Sequence, residues 1–227
     1  MEAPLLNSRL DILPAAQRRL WNELGNTPNR FVLYGGTAIA LRLGHRQSLD
    51  FDFFSNDSFE PGSLYSNIPY LAHARIDQRG DNTLSATIDR SGPVRVSYFG
   101  DVRMRSVRNP DLASDNGLQI ASLLDLAATK LKTIQQRAEA KDYLDIAAAL
   151  AEGISLSDAL GAAIAIYGKT FNPLAALKAF SYFEDGTLPT LPQGIRQQLR
   201  QSAQQVDLIS LPRMPVRPDI TYQNIQP

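Results

Sequence analysis

Two aspartates one residue apart, Asp50 and Asp52, follow closely on two adjacent glycines, Gly35 and Gly36, in the stretch YGGTAIALRLGHRQSLDFDFF over residues 34–54. Carboxylates at alternate positions of a strand share one face, about 6.6–6.8 Å apart along the backbone. That spacing suits a hard cation such as Mg²⁺, which takes oxygen ligands and bridges to substrate phosphates. Glycines between a strand and a helix let the backbone turn with positive φ and approach a ligand closely. The free N–H groups and dipole of the helix start then favour an anion. The chemistry these residues predict is the handling of a phosphate beside a divalent metal. The spacing GGTAIALRLG does not fit the G-x-G-x-x-G dinucleotide fingerprint, and no G-K-[ST] closes the glycine run as a Walker loop requires.

Such residues need a frame to hold them. FVLY (31–34) and LDFDFF (49–54) read as strands on either side of the helix-like TAIALRL, with Phe51, Phe53 and Phe54 expected on the buried side. Three further strand-like runs follow at 71–78, 83–89 and 94–99, separated by the turn-rich RGDN and RSGP. In TLSATID, Leu84, Ala86 and Ile88 alternate with polar residues, the period of a half-buried strand. Short links between these runs favour antiparallel pairing. Beyond residue 116 the period becomes helical: Ile120, Leu123, Leu124, Ala127, Leu131 and Ile134 recur at three- and four-residue spacing. KDYLDIAAALAEG (141–153) continues the pattern and stops at Gly153, and further helices are predicted over 157–166, 173–183 and 194–205. The proline-containing tail from 211 reads as extended. The fold class is α+β: a small mixed sheet with flanking helices over residues 1–110, then a helical domain with a Pro-rich tail over 111–227.

Composition narrows the function classes. The 227 residues balance 23 basic against 23 acidic side chains, so no overall basic field draws in nucleic acid. Any such contact needs a local patch, for which Arg42, Arg46, Arg103, Arg105, Arg108, Lys130, Lys132 and Arg137 are the candidates. The chain has no cysteine, which excludes disulfides and thiolate metal sites. The opening MEAPLLNSRLDI lacks the basic-then-apolar pattern of a secretory signal, and no apolar run approaches the ~20 residues of a bilayer span. A cytoplasmic protein without a membrane partner is expected.

The 34–54 stretch resembles the opening motif of AbiEii/AbiGii-type nucleotidyltransferases, a branch of the DNA polymerase beta-like superfamily. The later block LLDLAATKLKTIQQRAEAKDYLDIAAAL (123–150) is similar to that family's downstream motifs, a lysine on one helix followed by a [KR]-D-x-x-D element on the next. The resemblance implies that Gly35, Gly36 and Thr37 cradle a nucleotide triphosphate, that Asp50 and Asp52 bind Mg²⁺, and that Lys130 faces the phosphates. It implies a catalytic part for Asp142, our candidate for the base that activates the acceptor hydroxyl, with Asp145 as its companion. One position departs from the superfamily pattern. The strand expected to carry a third carboxylate offers Ser97 instead. His45 has the family's place in LGHR and reads as structural, and His73 reads as surface.

The resemblance further implies transfer of a nucleoside monophosphate from an NTP, and many relatives act as toxins of toxin–antitoxin or phage-defence loci. An RNA or tRNA acceptor and a cognate antitoxin encoded nearby are the expected partners. Two other readings stay open: transfer to a small molecule, and a nucleotide-binding or interaction protein that has lost catalysis.

Overall fold

The computed structural model describes residues 4–222. Eight strands form one mixed sheet: β1 (Leu5–Leu6), β2 (Val32–Tyr34), β3 (Phe51–Phe54), β4 (Arg75–Gly80), β5 (Thr83–Asp89), β6 (Pro93–Phe99), β7 (Asp111–Ala113) and β8 (Gln119–Ile120). Their order is β1-β7-β8-β2-β3-β6-β5-β4. The expected antiparallel meander is β4–β5–β6, while β3 runs parallel to β6 and β2 parallel to β8. Eight α-helices accompany the sheet: α1 (Ala15–Trp21), α2 (Gly35–Leu43), α3 (Pro61–Asn67), α4 (Leu123–Thr133), α5 (Ala140–Ala151), α6 (Leu156–Tyr167), α7 (Pro173–Ala179) and α8 (Gln193–Gln204). The class is α+β, as the sequence indicates.

The core face of the sheet follows from alternation. Phe51, Phe53, Val94, Val96, Tyr98, Leu84, Ala86 and Ile88 are all buried, and the register puts Phe51 beside Val96 and Phe53 beside Tyr98. Phe53 stacks on Tyr98 at 5.1 Å between ring centroids, and Trp21 of α1 lies 6.4 Å from Phe51. Phe54 does not join them. A strand turns successive side chains to opposite faces, so Phe54 shares the face of Asp52, where its ring meets Tyr34 and Phe99. The pair expected at 31–34 and 83–89 is observed at 32–34 and 83–89, but the run at 71–78 begins only at Arg75, because His73 takes a positive φ of 65° and turns the chain.

The chain forms two compact units. Of the described residues, one comprises 4–104, 109–122 and 219–222, and the other 105–108 and 123–218. Residues 111–122 therefore belong with the sheet, not with the helical half where the boundary at 110 places them. The reason is local: β7 and β8 have three and two residues, too few for a period to show, and they gain their pairing from β1 and β2. Nor is the tail only a surface strand of the helical half. Ile220 is buried, and the Tyr222 N–H donates to Gln119 Oε1 at 2.8 Å, which ties residues 219–222 to the sheet unit.

Candidate active site

In the sheet unit, β2 ends at Tyr34 and α2 begins at the next residue, so Gly35 is both the turn and the first helical position. Its φ of +76° lies where a side chain is strained, and a Cβ there would stand 3.0 Å from Asp52 Oδ2. The backbone of the helix start is thus packed directly against one of the two carboxylates. Tyr34 pairs with Asp52 across the antiparallel ladder, which fixes that approach. The N-cap residue Tyr34 makes no side-chain cap to α2, whose start presents N–H groups and the positive end of the helix dipole. Gly36 serves differently: a Cβ there would meet Arg46 Nη2 at 2.2 Å, so the guanidinium occupies the space that the missing side chain leaves.

Thr37 is buried and faces inward rather than toward a ligand. Its hydroxyl donates to the Asp50 carbonyl and shares a 2.8 Å hydrogen bond with Ser48 Oγ. It positions the chain entering β3. With its one hydroxyl proton committed to the Asp50 carbonyl, the Thr37 side chain has none left to donate to a triphosphate. Asp50 is exposed and Asp52 half-buried on the face opposite Phe51 and Phe53. Ser97 pairs directly with Asp52 and Ser85 directly with Ser97, and the two serine hydroxyls hydrogen-bond at 3.1 Å. The neighbouring-strand position suited to a third carboxylate is therefore a buried serine pair.

The donor set can be tested against a metal. Among the described residues no three His, Cys, Asp or Glu side chains gather as a ready-made cation cage. A zinc-type site built wholly from protein ligands does not fit. A cation that takes one or two carboxylates and completes its shell with water and substrate phosphates does fit Asp50 and Asp52.

The helical unit holds a different constellation. Lys130 on α4 and Asp142 and Asp145 on α5 are all buried, and Lys130 Nζ lies 2.7 Å from a carboxylate oxygen of each. Arg137, from the α4–α5 connection, donates to both Asp142 oxygens at 2.8 and 3.1 Å while remaining about half exposed. Burial pushes the Asp142 carboxyl up, but Arg137 and Lys130 outweigh it and hold it below the usual carboxylate range. A carboxylate so held is a poor proton acceptor. The geometry makes Asp142 an anchor for two cations rather than the base expected of it, and gives Lys130 two buried carboxylates as immediate partners.

Of the basic candidates, Arg42 is also spent on structure. It pairs with Asp111 at 2.6 Å and donates to the Ala121 and Ile120 carbonyls, tying α2 to β7 and β8. Asp125 was not singled out in the sequence, yet it is buried and accepts from the Val107 and Arg108 N–H groups at 2.7 and 3.1 Å. It anchors the basic VRMRSVR segment. Nothing in its spacing signals this, because its partners are backbone groups about 17 residues away.

A glycine-led helix start set against a strand carboxylate, beside a parallel neighbour strand, agrees with the resemblance to nucleotidyltransferases. A family model for the nucleotidyl transferase AbiEii toxin of type IV toxin–antitoxin systems matches residues 19–212, and the chain belongs to that family. An uncharacterized protein of Aquifex aeolicus (strain VF5) is 36% identical over 120 residues, covering 52% of this chain and 56% of the relative. The match thus spans little more than half of that relative's length. Among solved structures, MenT4, a nucleotidyltransferase toxin of Mycobacterium tuberculosis H37Rv, superposes with a TM-score of 0.60 at 17% identity, covering 88% of this chain and 84% of the other. That likeness supports the fold.

Proposed function

We propose that this protein is a Mg²⁺-dependent nucleotidyltransferase that moves a nucleoside monophosphate from an NTP to an RNA acceptor, such as a tRNA, as the toxin of a two-gene locus in the cytoplasm. The observation that carries the reading is the packing of Gly35 against Asp52, which sets a helix start beside a carboxylate of the inner strand β3. No single helix among the described residues is long and apolar enough to cross a membrane.

In this reaction the acceptor hydroxyl oxygen attacks the α-phosphorus, the bond from that phosphorus to the bridging oxygen of the β-phosphate breaks, and pyrophosphate leaves. The hydroxyl proton passes to water or a nearby carboxylate. Such a transfer needs charge neutralisation and in-line placement more than covalent catalysis. Asp50 and Asp52 would hold the cation, which when bound supplies charge for the triphosphate. The Gly35–Gly36 N–H groups bind and orient phosphate oxygens. Within the helical unit, Lys130 and Asp142 enter as positioning residues: Asp142 fixes the half-exposed Arg137. The AbiEii family supports an antitoxin as partner.

The test incubates the protein with Mg²⁺, each of the four labelled NTPs and total RNA. Label should enter RNA from at least one NTP, and EDTA should abolish it. Label entering a small molecule would point to the alternative acceptor class, and no transfer from any NTP to either would overturn the reading.

A further inference from the structure

On the same face as Asp50, within the sheet unit, lies an open pocket of about 420 Å³. Its walls are Pro14 and Ala16 at the start of α1, Leu49 just before β3, and Pro93 at the start of β6. Leu49 is 56% exposed, a large apolar side chain left in water directly before a candidate metal ligand. It is held there rather than loose, since the buried Gln17 donates from its amide to the Leu49 carbonyl at 3.2 Å. The polar lining comes from Asp50, Thr87 and Arg95. Thr87 and Arg95 face one another across the β5–β6 ladder, and the β3–β6 register carried back one residue puts Asp50 beside Arg95. Arg95 is exposed, and its side chain makes no ion pair or hydrogen bond among the described residues. The Thr87 hydroxyl donates to Asp77, which leaves its oxygen free to accept.

Resting on the nucleotidyl-transfer reading, we propose that this pocket binds a nucleobase. Its volume falls in the range of small-molecule sites, whose walls are mostly apolar with a few placed polar groups. A triphosphate fits poorly here, because one guanidinium beside a carboxylate offers little net attraction for several negative charges. A base fits both halves of the lining. Its faces are apolar and stack on prolines, leucine and a guanidinium plane, and its edge offers acceptors to Arg95 and an amino donor to Thr87. Because Asp50 lines the pocket, whatever sits in it belongs to a molecule at the reacting centre. That base comes either from the NTP or from the terminal nucleotide of the acceptor. The pocket then selects which nucleotide is used.

The experiment uses the full chain and two variants at exposed positions, Arg95→Gln and Leu49→Asp. In EDTA, ¹H–¹⁵N spectra are recorded with adenosine, guanosine, cytidine or uridine up to about 10 mM. At least one nucleoside should shift the amides of Ala16, Leu49, Thr87 and Arg95, and each variant should weaken that binding about tenfold, the equivalent of ~1.4 kcal/mol. Stacking of one base contributes roughly that much or more. In the transfer assay, each variant should raise the KM for one substrate with kcat held within about twofold. A raised KM for the NTP assigns the pocket to the incoming base, and a raised KM for the acceptor assigns it to the acceptor end. Shifts elsewhere, or none with any nucleoside, overturn the proposal. The binding arm needs neither metal nor turnover, so it still reports on the pocket if the transfer reading itself fails.

Discussion

The two aspartate pairs of this chain sit in opposite physical settings. Asp50, just before the inner strand β3, is exposed and Asp52, within it, is half-buried, beside glycines that keep side chains out of the way. Asp142 and Asp145 are fully buried on a helix, with Lys130 2.7 Å from each. The second pair is neutralised inside the protein, and its energy goes into holding two helices and an arginine. The first pair lies where a ligand from solvent can reach it.

Breaking the open pair should cost activity and leave the fold intact. Asp52→Asn should lower transfer on the order of a thousandfold or more, about 4 kcal/mol of transition-state stabilisation. Its metal-free melting temperature should stay close to that of the native protein, because the substitution removes no apolar burial. A thermal melt in EDTA beside the labelled-NTP assay reads both. Asp52→Asn protein that melts early yet keeps its activity per folded molecule would place Asp52 in the architecture instead.

Breaking the closed group should cost stability. Lys130→Met leaves two buried carboxylates with one cation fewer, and removal of one partner from a buried pair costs about 3–5 kcal/mol. Urea unfolding should show that loss. An unchanged midpoint would mean that the 2.7 Å pairs carry no net stability.

Acid sharpens the same contrast. The folded Asp142 carboxyl lies below its ordinary value, so its contribution is complete above the unfolded pKa, about 3.9, and fades as pH falls through the folded value. The stability gap between the native protein and Asp142→Asn should be constant from about pH 7 to 5 and close below about pH 4. A gap that instead widens on acidification would reverse the assigned sign.

The two glycines give the smallest and most local test. Gly35→Ala places a side chain at φ +76° and presses on Asp52, a conformation that costs roughly 1–2 kcal/mol. Gly36→Ala keeps an ordinary backbone conformation and meets the Arg46 guanidinium and Ser48 Oγ, so it should cost less than Gly35→Ala. Equal losses at the two positions in urea unfolding would remove the distinction drawn between them.

Much of this was legible in the residues. The Gly35–Gly36 break, the alternation in TLSATID and the apolar rows of α4 and α5 each repeat a local period, and local periods survive into the structure. The short strands β1, β7 and β8 were not legible, since two or three residues carry no period and take their shape from their partners. The setting of Asp142 was not legible for a related reason. The sequence shows a carboxylate at the right spacing, but its basicity depends on Arg137 and Lys130 closing on it in space.

By itself the sequence determined the class of fold, the strand–glycine–helix–strand unit and the two aspartates that share a face, because each follows from backbone geometry within a few residues. Only the tertiary structure decided that Thr37 holds the entry to β3, that Arg42 is bound to the carbonyls of Ile120 and Ala121, and that Leu49 stands exposed beside Arg95 and Asp50. Those outcomes turn on contacts between residues 13 to about 80 positions apart or on neighbouring strands, where burial and register set which charges are neutralised and which remain for a ligand.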